Sequence, residues 1–189
     1  MWEIIVFVAT VLILVIVLHK LPVDADVALK QASGEGSRVK NIRAQADEYF
    51  EQGELKQAEK LYLKLLEKEP EDATLYNKLG LIYLADKNYK DAKAALKQAL
   101  KLEPENDTFH NNLGLLFYEL EDYENAIEAY EKSISINDKI ASRLVNLGLA
   151  YFMNKKYRKA ADCYERGLIL EPRHENYAEL LKKAEEKLK

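Results

Sequence analysis

The sequence predicts an all-α chain in which a row of helix-turn-helix repeats follows one N-terminal transmembrane helix. Three observations carry that reading. Gly80, Gly114 and Gly148 stand 34 residues apart, and so do Ala58, Ala92, Ala126 and Ala160. The run IIVFVATVLILVIVL, from Ile4 to Leu18, carries no charge and only one polar side chain, Thr10. The composition is 48% hydrophobic and 32% charged with few Gly and Pro, as suits helices that bury one face and solvate the other.

The N-terminal run comes first. With Met1, Trp2 and Leu21 at its margins it reaches the roughly 20 residues that cross a bilayer as a helix, so residues 1–21 are read as a transmembrane anchor. A cleaved secretory signal is the alternative, because Val23, Asp24 and Ala25 resemble a small-residue cleavage site. Against it, Met1, Trp2 and Glu3 supply no Lys or Arg ahead of the apolar run. Lys20, Lys30, Arg38 and Lys40 follow the run, and the tendency of basic flanks to stay inside places the repeats in the cytoplasm. Residues 22–38 open on Pro22 and contain SGEGS, which reads as a flexible linker, with Ala25 to Ala32 able to form a short helix.

Four repeats follow, at residues 39–72, 73–106, 107–140 and 141–174, and a capping helix closes the chain at 175–189. In the first helix of a repeat Tyr76, Leu79, Gly80 and Tyr83 fall at i, i+3, i+4 and i+7, an apolar stripe for a partner helix. Glycine inside a helix costs about 1 kcal/mol relative to alanine, so its recurrence implies a crossing where no side chain fits. Ala92, Ala126 and Ala160 enter the second helix at a similarly close contact, and Tyr89, Tyr123 and Tyr157 fill the turn before it. Pro70, Pro104 and Pro172 stop the second helix, Asp138 taking that place in the third repeat. The first repeat has Gln45 and Ala46 where the others have Leu and Gly, as suits a terminal unit with a more polar outer face. In the last segment Tyr177, Leu180, Leu181, Ala184 and Leu188 share one helical face, which shields the final repeat.

This 34-residue pattern resembles the tetratricopeptide repeat (TPR) family over residues 39–189. The resemblance implies a right-handed superhelix whose first helices line a concave groove, and the family uses that groove to hold peptide segments or partner helices. The groove it implies here is built from Asn77, Leu81 and Leu84, then Asn111, Asn112, Leu115 and Tyr118, then Asn146, Leu149 and Phe152. Lys40, Arg43, Asp47, Phe50, Lys78, Thr108 and Val145 stand at further matching positions. Chaperone-binding members clamp a C-terminal carboxylate with Lys, Arg and Asn; here Asp47 replaces an asparagine and Thr108 a lysine, so no such clamp is expected. Asn112 and Asn146 are similar to the asparagine ladder by which some arrays hold an extended backbone, an amide offering both a donor and an acceptor. A short anchor ahead of cytoplasmic repeats is also similar to a bacterial lipopolysaccharide assembly family. That family ends in a metal site of paired cysteines, and this chain has Cys163 alone.

Little else in the sequence points to chemistry. Cys163 reads as a small buried apolar residue, and His19, His110 and His174 have no second ligand at metal spacing, with His110 expected at a core contact. There is no phosphate-cradling loop and no nucleophile elbow. The net charge of −4 lacks the basic stripe that nucleic acid requires. The expectation is therefore a non-enzymatic, membrane-anchored scaffold or adaptor that takes peptide segments or helices of partner proteins, with no cofactor, metal, nucleic acid or small-molecule substrate. The alternative is an extracytoplasmic assembly factor for cell-envelope or secretion machinery, with the repeats on the outer side of the membrane.

Overall fold

The computed structural model describes residue 34 and residues 36–189, and among these the regular structure is all helix, with no strand. The expected anchor and most of the linker lie outside the described residues. Helix α1 covers residues 36–51, so it already includes Ser37 and Arg38 from the linker's end. It is followed by α2 (Leu55–Leu66), α3 (Ala73–Ala85), α4 (Tyr89–Leu102), α5 (Asp107–Glu119), α6 (Tyr123–Ile136), α7 (Ala141–Met153), α8 (Tyr157–Leu170) and α9 (Glu175–Glu186).

The chain divides after Leu61 into two compact units. In the first, Ala46 and Ala58 are fully buried, and the turn after α1 passes through Gly53 at φ 77°, a left-handed conformation that glycine takes without strain. In the second unit α3 pairs with α4, α5 with α6 and α7 with α8. Successive pairs are joined where α5 packs on α4 and α7 on α6, and α9 closes against α8.

Local signals set the helix ends. Asp72 and Asn106 cap α3 and α5, their side chains accepting from the backbone N–H groups of Thr74 and Leu75 and of Thr108 and Phe109. At the other end, the N–H of Asn88 reaches back to the Tyr83 carbonyl and that of Lys87 to Leu84. The same pair of bonds recurs at Asp122 and Glu121 and at Lys156 and Lys155. This closure satisfies the last carbonyls of each first helix and forces the left-handed conformation on Lys87, Glu121 and Lys155.

The recurring glycines sit where the paired helices cross. A methyl group added at Gly80 would lie 2.6 Å from Cγ of Leu96, at Gly114 2.6 Å from Cδ1 of Tyr130, and at Gly148 2.5 Å from Cε1 of Tyr164. Ala92, Ala126 and Ala160 are completely buried. In α9, Tyr177 and Ala184 are buried and Leu180 and Leu181 pack on the same core. Leu188 departs from the expected stripe: it lies past the helix end and is 49% exposed.

Candidate functional site

Helices α3, α5 and α7 are the first helices of successive repeats, and α5 touches both of the others. Leu81, Leu115 and Leu149 hold the same repeat position on them, and each is half-buried. One turn further on, the half-buried ring of Tyr118 meets Tyr123 edge to face at 5.7 Å, and that of Phe152 meets Tyr157 at 5.2 Å. The tyrosines expected to fill the turns thus prop up the groove aromatics. Leu84 occupies the same repeat position as these rings but turns inward: it is 9% exposed and packs with Leu96 and Leu116. It belongs to the core between repeats, as does Val145.

The asparagines bond to each other. Asn112 Nδ2 donates to Asn77 Oδ1 at 2.8 Å, and one repeat on Asn146 Nδ2 donates to Asn111 Oδ1 at 3.2 Å, with Asn111 Nδ2 3.4 Å from Asn112 Oδ1. Asn77 and Asn112 are buried. The expectation that Asn112 offers its amide to a partner is corrected accordingly: a carboxamide buried between first helices must find its bond inside the array. Asn146 is half-buried, and its carbonyl oxygen accepts no bond among the described residues.

A second polar group, which the sequence reading passed over, ties the third repeat to the fourth. Arg143, buried on the first turn of α7, pairs with the Asp107 carboxylate, and its Nη2 donates to Thr108 Oγ1 at 2.9 Å. Asn137 Nδ2 donates to the same carboxylate at 2.9 Å, and Ser133 Oγ to the Asp107 carbonyl at 2.7 Å. The Arg143 hydrogen bond holds the Asp107 carboxyl below the usual carboxylate range. Thr108, expected in the groove, is thereby engaged in the junction. The repeat register does hold a signal for this group: Asp107 stands where other repeats have Ala73 and Ala141, and Arg143 where they have Leu75 and Phe109. Two ionic exceptions of opposite sign in apolar positions answer each other.

On the outer side, a depression of about 400 Å³ lies among α6, α7 and α8, bordered by Glu131, Tyr151, Lys159, Asp162, Cys163 and Arg166. Its polar groups are mutually engaged. The Tyr151 hydroxyl donates to Glu131, Lys159 lies over the Tyr151 ring at 5.2 Å, and burial pushes the Cys163 thiol up to about 12. A thiol so disfavoured as a thiolate is a poor nucleophile. Among the described residues no cluster of His, Cys, Asp and Glu could hold a metal ion. His110 is half-buried rather than in the core, with Nε2 2.8 Å from the Pro104 carbonyl oxygen, and His174 stacks on Tyr177.

Family models described as tetratricopeptide repeat match residues 73–102, 88–139 and 141–174, and one described as TPR repeat matches residues 46–87. Residues 46–139 and 141–174 are tetratricopeptide repeats. The TPR array is similar in fold to a crystal structure of MamA, at 24% identity over 80% of this chain and 83% of that one, with a TM-score of 0.70. PilF of Pseudomonas aeruginosa gives 23% identity over 80% of this chain and 69% of that one, with a TM-score of 0.73. The first TPR domain of Spaghetti (RPAP3), bound to the HSP90 peptide SRMEEVD, gives 22% over 61% of this chain and 92% of that one, with a TM-score of 0.59. No curated protein matches the sequence. Among the described residues no helix is long and apolar enough to cross a membrane.

Proposed function

We propose that the chain is a membrane-anchored scaffold that holds an apolar segment of a partner protein along α3, α5 and α7. The observation that carries this reading is the half-buried row of Leu81, Leu115 and Leu149, continued by Tyr118 and Phe152 and edged by Asn146. Packed helices lie about 8–10 Å apart, and a polyproline II segment, with three residues per turn and a rise of about 3.1 Å, returns to one face about every 9 Å. A segment bound in that conformation sets an apolar side chain on each repeat at every third residue, while Asn146 meets its backbone. That one protein of this fold is bound to a peptide is in keeping with the reading. The anchor is residues 1–21, and the basic flank behind it favours the cytoplasmic side.

Affinity capture of the full-length chain from its own membranes supplies the partner, and two substitutions then test the groove. Tyr118→Ala should lower affinity by about 2 kcal/mol as a central anchor, and Asn146→Ala by about 1 kcal/mol through an unmet backbone group. The folded fraction, read by circular dichroism, should stay unchanged. Capture at full strength by both variants would remove the groove from consideration. Alkaline phosphatase fused after Lys189 reads the side of the membrane: an inactive fusion agrees with cytoplasmic repeats, and an active one moves the chain to the envelope-assembly alternative.

A further inference from the structure

The second helices carry a charge pattern that net charge conceals. Lys87, Lys90 and Lys97 are exposed along α4 and the turn before it, and 34 residues on Glu121, Glu124 and Glu131 are exposed at the same places of α6. Lys101 lengthens the first stripe and Glu128 fills the second. None of these eight side chains forms an ion pair among the described residues, although Glu131 accepts a hydrogen bond from Tyr151. Equivalent positions in adjacent repeats thus bear opposite signs, without having closed on each other.

We infer that the outer face of α4 and α6 is a self-association surface on which two copies of this chain pair about a two-fold axis. Both helices pack on α5 and hold the same place in successive repeats, so their outward stripes run side by side in the same direction. A half-turn about an axis between them and parallel to them exchanges the two. Each copy's lysine stripe then lies over the other's glutamate stripe, Lys87 near Glu121, Lys90 near Glu124 and Lys97 near Glu131, every pair made twice. Such a contact is isologous and closes at two copies.

The neighbouring stripe decides against other occupants. An anionic bilayer or a nucleic acid drawn to the lysines meets the glutamates one helix away, and attraction and repulsion cancel at separations near the Debye length of about 8 Å. An acidic peptide matches the lysines and leaves the glutamates unmet. A second copy answers both stripes at once. The inference stands apart from the groove, whose residues lie on the first helices. Exposed ion pairs are individually weak, so the pairing is reversible and salt-dependent.

The test is sedimentation of the full-length chain in an uncharged detergent, with circular dichroism confirming that each variant folds. The wild type should associate at low salt and dissociate near 0.5 M salt, where screening acts within a few ångströms. Lys90→Glu with Lys97→Glu sets carboxylates against Glu124 and Glu131 at two of the three pairs, and Glu124→Lys with Glu131→Lys sets ammonium groups against Lys90 and Lys97 at the same two. Each alone should associate at least about tenfold more weakly, and their mixture should restore pairing, because the two-fold then sets the introduced carboxylates on the introduced ammonium groups and leaves the unmodified glutamates of one chain on the unmodified lysines of the other. Replacing the same lysines by Gln should weaken pairing less than reversal does. A wild type that stays monomeric at low salt overturns the inference, as do variants that associate unchanged or a mixture that stays apart. Wild-type binding to phosphatidylglycerol vesicles as a monomer would assign the lysines to lipid instead.

Discussion

Gly114 shows how a single residue holds the repeat register. Alanine there would gain about 1 kcal/mol in helix propensity, but its methyl group would stand 2.6 Å from the ring of Tyr130, itself 2% exposed and unable to swing aside. Overpacking a closed core costs about 1–3 kcal/mol, so the steric effect outweighs the propensity. Gly167 is the contrasting case: its nearest neighbour would be the Val145 Cγ2 methyl at 3.1 Å, which needs to give only a few tenths of an ångström. Thermal denaturation should therefore show Gly114→Ala destabilised by up to about 2 kcal/mol and Gly167→Ala unchanged or slightly more stable. Equal losses at the two sites would mean that the crossing at Gly114 is no tighter than its counterpart. The need for glycine was legible from spacing alone. What fills the space was not, because Leu96, Tyr130 and Tyr164 change identity along the register and so hide their common task.

Between elements, polar groups decide how one repeat is fastened to the next. The ladder from Asn112 to Asn77 and from Asn146 to Asn111 links first helices, whereas Asp107 and Arg143 lock α5 and α6 to α7. Helix α7 has no side-chain cap at Ile140, and Arg143 in its first turn supplies the attachment instead. Because the folded pKa of Asp107 is depressed, the unfolded chain takes up this proton first as pH falls from above its ordinary value near 3.8. The contribution is complete above that value and is lost as pH drops through the lower folded pKa. Asp107→Asn should cost about 1–3 kcal/mol at neutral pH, less than a fully enclosed pair because the carboxylate keeps some solvent contact. That deficit should shrink as pH falls below about 4. Urea titrations of both proteins over this range check it, and a deficit independent of pH would show that packing rather than charge is lost. The sequence carried this junction only as exceptions to a pattern, and pattern reading discards exceptions.

Across the whole array the division between legible and hidden follows the same physics. Helix starts recur at residues 73, 107, 141 and 175 although among these helices a side chain caps only α3 and α5; what repeats in sequence is the closure that ends each first helix. The groove was harder to read, since a position that faces outward in one repeat turns inward in another when its side chain changes, as Leu84 does beside Tyr118 and Phe152. An array of this kind is stabilised by nearest neighbours, so each unit depends on the next and the last depends on its cap. Helix α9 covers α8 with Tyr177, Leu180, Leu181 and Ala184, which pack on the core that holds Cys163 and Tyr164. Ending the chain after His174 removes that cover and exposes at least one large apolar side chain, a loss of roughly 1.5–3 kcal/mol. The loss should fall locally: amide exchange in α7 and α8 should accelerate about tenfold or more, while α3 and α4, separated by a full repeat, keep their protection. Uniform acceleration would show that the second unit unfolds as one block, and unchanged exchange in α8 would show that α9 is an appendage rather than the cap.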